Sequence, residues 1–298
     1  MATALELAAM RRAIALSAAG LGTTSPNPPV GCVLLGQGGE IVGEGYHQRK
    51  GEAHAEANAL AAAGALAEWA TAVVTLEPCN HQGRTPACRQ ALIAAGVKRA
   101  VIAVMDPTSR GEGGAAAMRA AALDVETGVL ADEARLVLGP WLTALEQQRP
   151  RITWPYVITN DDIIALAEES AAAWQLRLTA DAMLRADGTV AEAISGRHGA
   201  GILKLANLIP GTKPLAAASS LYTGGVRHLL LSGGLEAAKP FLAESLVDRV
   251  LAYLPDGSAA SKPTHGRPWA QLPPGFAITR ASRTDSFTCI EAYRASTG

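Results

Sequence analysis

Short apolar runs alternate with alanine-rich segments of helical length through the first half of the chain, and this alternation is the strongest constraint on its fold. The predicted elements are, in chain order, a helix over 4–19, strands over 30–35 and 40–45, a helix over 54–66, a strand over 71–76, a helix over 85–96, a strand over 99–105, a helix over 113–123, a strand over 124–129 and a helix over 131–148. Strands separated by helices form sheets that the helices cover. The order therefore predicts an α/β domain with one sheet covered on both faces.

A second domain is expected after residue 148. A length of 298 residues favours two domains, although one large α/β domain is possible. The segment "QQRPRITWP" (147–155) carries two prolines and begins a new strand-like run, so we place the domains at 1–148 and 149–298. The second half is less regular, and its predicted elements are a strand over 151–159, a helix over 162–178, a strand over 227–234, a helix over 235–246, a strand over 247–255 and a loop over 256–274.

Charge and cysteine content argue against several classes of protein. The chain has 26 basic and 27 acidic residues and no run of lysine or arginine, so a nucleic-acid partner has no electrostatic support. No apolar stretch is long enough to predict a membrane span. Four cysteines in 298 residues do not make a disulfide scaffold, which favours a reducing, cytoplasmic location. Arg11 and Arg12 precede a short apolar run that resembles an export signal, but the run fits the helix over 4–19 better.

Four residues in two separate segments follow the pattern of a zinc-dependent hydrolase. His54 and Glu56 open a predicted helix, and Cys79 and Cys88 flank the turn after the next strand. One histidine and two cysteines form a known catalytic zinc set that leaves a position for water. A glutamate two residues after the histidine can move a proton from water to a leaving group without binding the metal. Zinc deaminases share this order, but here the second cysteine comes nine positions after the first instead of three.

Each of these residues also has a simpler interpretation. A lone histidine is usually a surface or core residue, and two cysteines across a loop can be packing residues. A redox pair is disfavoured because the C-x-x-C spacing is absent. The combination in one α/β order favours the metal site over these alternatives. Cys32, inside an apolar run, is expected to be buried, and Cys289 lies in no motif.

Three longer stretches resemble the bifunctional deaminase–reductases of riboflavin biosynthesis: "TSPNPPVGCVL", "GEGYHQRKGEAHAEANAL" and "TLEPCNHQGRTPAC". The resemblance covers residues 8–148 and implies a cytidine-deaminase-like, three-layer α/β/α domain followed by a dihydrofolate-reductase-like α/β domain. In that family the first domain hydrolytically deaminates 2,5-diamino-6-(5-phosphoribosylamino)pyrimidin-4(3H)-one, and the second uses NADPH to reduce the ribosyl group. The long spacing between the cysteines distinguishes this family from tRNA adenosine, cytosine and guanine deaminases.

The resemblance implies that zinc is the cofactor, that His54, Cys79 and Cys88 bind it, and that Glu56 is the catalytic proton shuttle. It implies a small phosphorylated pyrimidine as the substrate.

Four further positions match the substrate pocket of that family. Asn27 matches a residue that contacts the pyrimidine, although Asn-Pro is also ordinary turn chemistry. His47 matches another pocket residue, and Arg84 and Thr85 match the loop that meets the ribose phosphate. A guanidinium and a hydroxyl beside a helix N-terminus suit a phosphate chemically.

The second half departs from the family pattern. Only residues 188–190 remain of a segment with a Gly-x-Gly-Thr turn, and Ser232 replaces the usual glutamate of a later strand. Gly233 and Gly234 follow that strand and could let a cofactor phosphate approach a helix N-terminus. We expect a truncated reductase-like domain without NADPH turnover, kept for folding or for contacts in a homo-oligomer, a dimer or larger.

Two other functions stay open from the sequence. The chain could be a paralogous deaminase in a specialised pathway that branches from GTP-derived pyrimidines towards a pteridine-like or azapteridine-like product. It could also be a non-catalytic binding or scaffold protein, but the intact His-x-Glu pair argues against that interpretation.

Overall fold

The structure, a computed structural model, describes residues 1–80, 86–109, 111–159, 162–209, 211–255, 272–283 and 287–295. The chain divides into two compact units, Met1–Gly139 and Pro140–Gly298. The sequence places the boundary after residue 148, and the exact limits of the two domains stay a prediction. Within the described ranges, none of the helices has the length and apolar content needed to span a membrane.

The first half of the chain has the predicted order of helices and strands. Its elements are α1 (Ala4–Ala18), β1 (Gly31–Leu35), β2 (Ile41–Tyr46), α2 (Ala55–Ala63), a 3-10 turn (Gly64–Ala67), β3 (Thr71–Leu76), α3 (Cys88–Ala94), β4 (Arg99–Val104), α4 (Gly113–Ala120), β5 (Asp124–Thr127) and α5 (Ala131–Gln147). The five strands form one sheet in the order β2-β1-β3-β4-β5. β1 pairs antiparallel with β2 and β3, whereas β3, β4 and β5 are parallel.

Helices α1 and α2 cover opposite faces of this sheet, and glycines let them come close. A Cβ on Gly31 of β1 would lie 2.0 Å from the Ala13 carbonyl oxygen of α1. Gly45 of β2 faces α2, because a Cβ there would lie 2.6 Å from the Cβ of Asn58. Gly45 pairs with Cys32, which therefore shares the α2 face, while its neighbour Gly31 faces α1. The sheet thus has a helix on each face, as predicted.

The second half forms a separate mixed sheet. Its elements are β6 (Arg151–Ile158), β7 (Ile163–Ala165), α6 (Ala171–Arg177), β8 (Ala182–Arg185), β9 (Val190–Glu192), α7 (Pro214–Thr223), β10 (His228–Ser232), α8 (Leu235–Ala243), β11 (Arg249–Pro255), β12 (Phe276–Arg283) and β13 (Phe287–Arg294). The strand order is β12-β13-β11-β6-β10-β8-β9, with β7 paired to β6. The central strands β11, β6, β10 and β8 are parallel. Trp154 and Tyr156 of β6 face one core and Val157 faces another, so both sides of this sheet are buried.

The predicted helix over 162–178 is wrong in its first part. Ile163–Ala165 forms strand β7, which pairs antiparallel with β6. Ile163 also packs against the main core of the second unit, so strand pairing and burial outweigh local helix propensity. The helix begins only after Ser170, whose side chain caps it by accepting a hydrogen bond from the Ala173 N–H.

A buried carboxylate holds the starts of two parallel strands together. Asp181 precedes β8, and its Oδ2 accepts hydrogen bonds from the N–H groups of Arg227 (2.7 Å) and His228 (2.9 Å) at the start of β10. Its Oδ1 lies 3.1 Å from Nε2 of the fully buried His198. Burial opposes ionisation of Asp181, but the His198 contact and the two backbone donors outweigh it and lower its pKa.

We expect Asp181→Asn to lower the free energy of unfolding by about 2 kcal/mol, because hydrogen bonds to a charged group are lost in a buried place. The folded pKa of Asp181 is lowered, so its contribution is present above the unfolded pKa of about 3.9 and is lost as pH falls through the folded pKa. Urea denaturation over a pH series measures both effects. The control is the exposed Glu236→Gln, and equal stabilities for the two variants at neutral pH would contradict the assignment.

Candidate active site

The first turn of α2, which packs on the face of the first sheet over β2, carries a histidine and a glutamate. His54 is the N-cap residue of α2, with extended backbone angles, and Glu56 lies in the first turn. Gly43 and Gly45 of β2 allow the approach, since a Cβ on Gly43 would lie 2.3 Å from the Ala59 carbonyl oxygen of α2. Glu56 is buried at 3% exposure, whereas His54 is half-buried.

Direct contacts join the two cysteine segments. Cys79 follows β3, and Cys88 is the first residue of α3. The Cys88 N–H donates to the Cys79 Sγ at 3.3 Å, and the Arg89 N–H donates to the Cys79 carbonyl at 3.5 Å. The Arg89 guanidinium also donates to the side-chain oxygen of Asn80. These contacts hold the two thiols side by side although nine positions separate them in sequence.

His54, Cys79 and Cys88 form a cluster that suits one metal ion. Their ligand atoms all lie within 4.8 Å of one another, and His54 Nδ1 is 3.3 Å from Cys88 Sγ. Zinc–nitrogen and zinc–sulfur bonds in a tetrahedral site place neighbouring ligand atoms about 3.5 to 3.8 Å apart. Imidazole and thiolate are also the donor types that zinc prefers. Distances and donors therefore both fit zinc.

Electrostatic effects in the cluster favour a thiolate at Cys79 and raise the pKa of the Glu56 carboxyl. The hydrogen bond between the two thiols lowers the pKa of Cys79, and Cys79 in turn raises the pKa of Cys88. Burial raises the pKa of Glu56, although its own backbone N–H and His54 act in the opposite direction. The Glu56 carboxyl also contacts the Cys88 side chain, so it lies beside the cluster without being one of the three clustered residues. A carboxyl with a raised pKa is suited to proton transfer near neutral pH.

Asn27 and His47 form a second polar group beside the cluster. The His47 ring lies 5.1 Å from the His54 ring, centroid to centroid, in an edge-on contact. His47 Nδ1 is 3.0 Å from the Ala53 carbonyl oxygen, and His47 Nε2 is 3.2 Å from Asn27 Nδ2. Burial is the largest effect on His47 and lowers its pKa, and the nearby charges of His54 and Lys50 lower it further. The hydrogen bond to the Ala53 carbonyl raises the pKa but does not outweigh them, so the neutral ring is favoured.

Two residues near the site carry contacts that the sequence did not indicate. Lys50 Nζ donates to Asn27 Oδ1 at 2.8 Å. Glu77, two residues before Cys79, is buried and accepts hydrogen bonds from the N–H groups of Ala115 (2.8 Å) and Asp106 (3.2 Å). Glu77 thus holds the start of α4 against the segment that carries Cys79. In the sequence, Lys50 is marked only by its place inside the motif "HQRKGEAHAE", and Glu77 only by its place inside "TLEPC".

The predicted site residues fall into three groups. His54, Glu56, Cys79 and Cys88 lie together, and Asn27 and His47 lie beside them. Arg84 and Thr85 lie outside the described residues. Gly233 and Gly234 belong to the second unit, between β10 and α8. Cys32 is buried, as predicted.

Comparison with known proteins identifies the family. The zinc-binding region of cytidine and deoxycytidylate deaminases matches residues 5–104. The riboflavin biosynthesis protein RibD of Mycobacterium tuberculosis is 36% identical over 272 residues, covering 78% of this chain and 80% of that protein. The chain belongs to the RibD family. RibD of Escherichia coli is 50% identical over 149 residues, which is half of this chain but only 39% of the relative. The chain thus aligns with less than two thirds of some relatives.

Solved RibD structures share the fold of the whole chain. RibD of Acinetobacter baumannii has a TM-score of 0.75 and 26% identity, covering 98% of this chain and 99% of that one. A deaminase/reductase from Thermotoga maritima has a TM-score of 0.80 at 24% identity and covers 98% of this chain. These matches confirm the predicted α/β class, with an N-terminal cytidine-deaminase-like domain and a C-terminal sheet domain.

We expect purified protein to retain zinc in a one-to-one ratio with the chain, and Cys79→Ser or Cys88→Ser to lose it, because a hydroxyl is a poor zinc ligand. Cys289→Ser is the matched control, since Cys289 is a free cysteine in the second unit. Elemental analysis after gel filtration gives the metal content. Full zinc retention by the Cys79 and Cys88 variants would contradict the assignment of the cluster.

Proposed function

We propose that this RibD-family chain is a zinc-dependent hydrolytic deaminase of the riboflavin pathway. Its substrate is 2,5-diamino-6-(5-phosphoribosylamino)pyrimidin-4(3H)-one or a close analogue. The observation that carries the proposal is the His54–Cys79–Cys88 cluster beside the buried carboxyl of Glu56. The related Thermotoga maritima protein is described as a diaminohydroxyphosphoribosylaminopyrimidine deaminase and 5-amino-6-(5-phosphoribosylamino)uracil reductase, which supports the substrate class.

Each residue of the cluster has one task in this reaction. His54, Cys79 and Cys88 would hold the metal, which when bound supplies Lewis-acid activation of water near neutral pH. Glu56 accepts one proton from the attacking water and passes it to a ring nitrogen, and it then takes the second proton of the same oxygen and delivers it to the departing amine. The amine leaves as ammonia, and the ring carbon keeps the oxygen of water as a carbonyl. Burial around Glu56 raises its pKa, which makes its carboxylate a stronger base towards the proton of water.

The substrate is held on two sides in this proposal. Asn27 and His47, which lie beside the cluster, bind the pyrimidine. Arg84 and Thr85 bind the ribose phosphate, an assignment that rests on the sequence motif alone. The long loop between the cysteines therefore selects a phosphorylated pyrimidine over a free base.

The second unit is proposed to lack NADPH turnover, and its internal contacts support this. A Cβ on Gly233 would lie 2.6 Å from the Cβ of Ala237, and one on Gly234 would lie 3.4 Å from the Ile163 carbonyl oxygen of β7. Both glycines are thus packed against atoms of the same unit.

An internal ion pair supports the same conclusion at the ends of the neighbouring strands. The guanidinium of Arg185, the last residue of β8, pairs with Glu168 at 3.0 Å. Ser232, at the end of β10, donates to the same carboxylate at 2.8 Å. Ligands of open α/β sheets usually bind at the carboxyl ends of the strands. In this protein, the side chains of Arg185, Ser232 and Glu168 pair with one another at these strand ends.

These contacts also favour the second candidate function, a paralogous deaminase of a specialised pathway that branches from GTP-derived pyrimidines. An enzyme that needs only the deamination step has no use for a working reductase. Assays of the riboflavin intermediate against later-pathway and dephosphorylated analogues separate the two candidates.

Incubation with the diaminopyrimidine phosphate should release ammonia and give a product in which oxygen replaces NH, detected by mass spectrometry. Glu56→Gln should lower kcat by about a thousandfold, because the proton shuttle is lost, while zinc content stays unchanged. Glu52→Gln, an exposed glutamate in the loop before α2, is the matched control and should keep wild-type activity. Wild-type turnover in Glu56→Gln would overturn the mechanism.

Addition of NADPH to the deaminated product should give no further change in mass and no oxidation of the nucleotide, because the positions proposed for phosphate contact are packed or paired within the chain. The Thermotoga maritima deaminase/reductase serves as the positive control for the assay. NADPH consumption coupled to uptake of a hydride and a proton by the product would overturn the proposal for the second unit.

A further inference from the structure

Lys50 makes one contact that stands out in the first unit. It lies three positions after His47 in the loop between β2 and α2 and is half-buried. Its Nζ is 2.8 Å from Asn27 Oδ1, and the other end of the same carboxamide, Nδ2, is 3.2 Å from His47 Nε2. The Asn27 side chain is thus held from both sides.

Hydrogen bonds run in series from the Ala53 carbonyl through His47 and Asn27 to Lys50. The carbonyl at one end and the ammonium at the other fix the donor and the acceptor in each of these bonds. The Ala53 carbonyl can only accept, so His47 Nδ1 carries the proton at that contact. The amide nitrogen of Asn27 can only donate, so His47 Nε2 is the acceptor at that contact. The ammonium of Lys50 can only donate, so the amide oxygen must face Lys50.

A flipped Asn27 amide would be penalised at both ends. Its NH₂ group would face the ammonium of Lys50, and its oxygen would face the lone pair of His47 Nε2. Without Lys50, only the weaker contact between neutral groups would select the orientation, since a hydrogen bond from a charged donor is about twice as strong.

We propose that Lys50 is a positioning residue that fixes the orientation of the Asn27 carboxamide for the substrate. This inference rests on the proposed function, in which Asn27 binds the pyrimidine. One N–H and one oxygen lone pair of the amide remain after the contacts to His47 and Lys50. Lys50 thereby determines where in the pocket the remaining N–H lies and where the remaining lone pair lies before the substrate arrives. Such preorganisation lowers the free-energy cost of reaching the productive geometry.

A different role for Lys50 would be direct binding of the substrate, most simply through its phosphate. The neighbouring Arg49 has the same charge and is exposed. Comparison of the two residues therefore separates an effect of local positive charge from an effect of the Asn27 contact. The dephosphorylated substrate analogue separates phosphate binding from orientation of the amide.

The first experiment compares steady-state kinetics of Lys50→Met, Lys50→Arg and Arg49→Met. Lys50→Met keeps the length of the side chain but removes the donor, and kcat/KM should fall roughly ten- to hundredfold. Lys50→Arg should restore most of the activity, because it supplies a charged donor. Arg49→Met should stay within about twofold of wild type. The loss in Lys50→Met should persist on the dephosphorylated analogue, and a loss confined to the phosphorylated substrate would overturn the proposal.

A double-mutant cycle tests whether Lys50 acts through Asn27. In an Asn27→Ala background, Lys50→Met should have little further effect on kcat/KM, because the group that Lys50 orients is gone. Additive losses in the double variant would show that Lys50 acts independently of Asn27 and would overturn the proposal. Thermal melting of each variant checks that the first unit stays folded.

A measurement without substrate keeps this inference separate from the proposed function. In protein labelled at asparagine, the Asn27 side-chain amide resonances should shift and broaden in Lys50→Met and return towards their wild-type positions in Lys50→Arg. Unchanged resonances in Lys50→Met would overturn the positioning role. If wild-type protein fails to deaminate the diaminopyrimidine phosphate, the proposed function fails, and the amide resonances alone decide the role of Lys50.

Discussion

The close approach of α2 to the β1–β2 hairpin is the constraint on which the active site depends. A Cβ on Gly43 or Gly45 would lie within 3 Å of the α2 backbone, so a larger residue at either position would push the helix outward. His54 and Glu56 sit at the start of α2, whereas the two cysteines are carried by the β3–α3 segment. Metal ligands tolerate shifts of only about 0.2 Å. The two glycines of β2 therefore determine whether His54 on α2 can come close enough to the cysteines of the β3–α3 segment to form one cluster of donors with them.

Local patterns bring His54, Glu56 and the two cysteines into one predicted group, and the family resemblance adds Asn27 and His47, but neither predicts Lys50. His54, Glu56 and the cysteine pair are recognised by spacing, and strand–helix alternation places them at neighbouring segment ends. Lys50 could not be predicted, because a lysine in a loop is usually a solvated charge and its partner lies 23 positions away in sequence. Such a contact depends on how two loops pack against each other, and the periodicity of the sequence carries no information on that packing.

The second half shows where sequence reasoning failed and why. The run of alanine and glutamate after residue 162 has high helix propensity, yet Ile163–Ala165 gains more from pairing with β6 and from burial of Ile163. The short strands β8 and β9 and the β12–β13 hairpin were not predicted, since their alternation is weak and their pairing is set by partners distant in the chain. Most of the first sheet has stronger patterns because its strands are continuous apolar runs buried on both faces.

The number of donors in the His54–Cys79–Cys88 cluster bears on the kind of metal chemistry that the first unit can perform. Cys32 lies on the α2 face of β1, and burial, with a smaller effect of the Glu56 charge, raises the pKa of its thiol well above the ordinary value. Cys32 is not one of the three clustered donors among the described residues. A fourth thiolate would close the coordination sphere and make the site structural. With three clustered donors, a zinc ion held by them would keep a fourth position for water, and such an open position is what separates a zinc enzyme from a zinc-stapled domain.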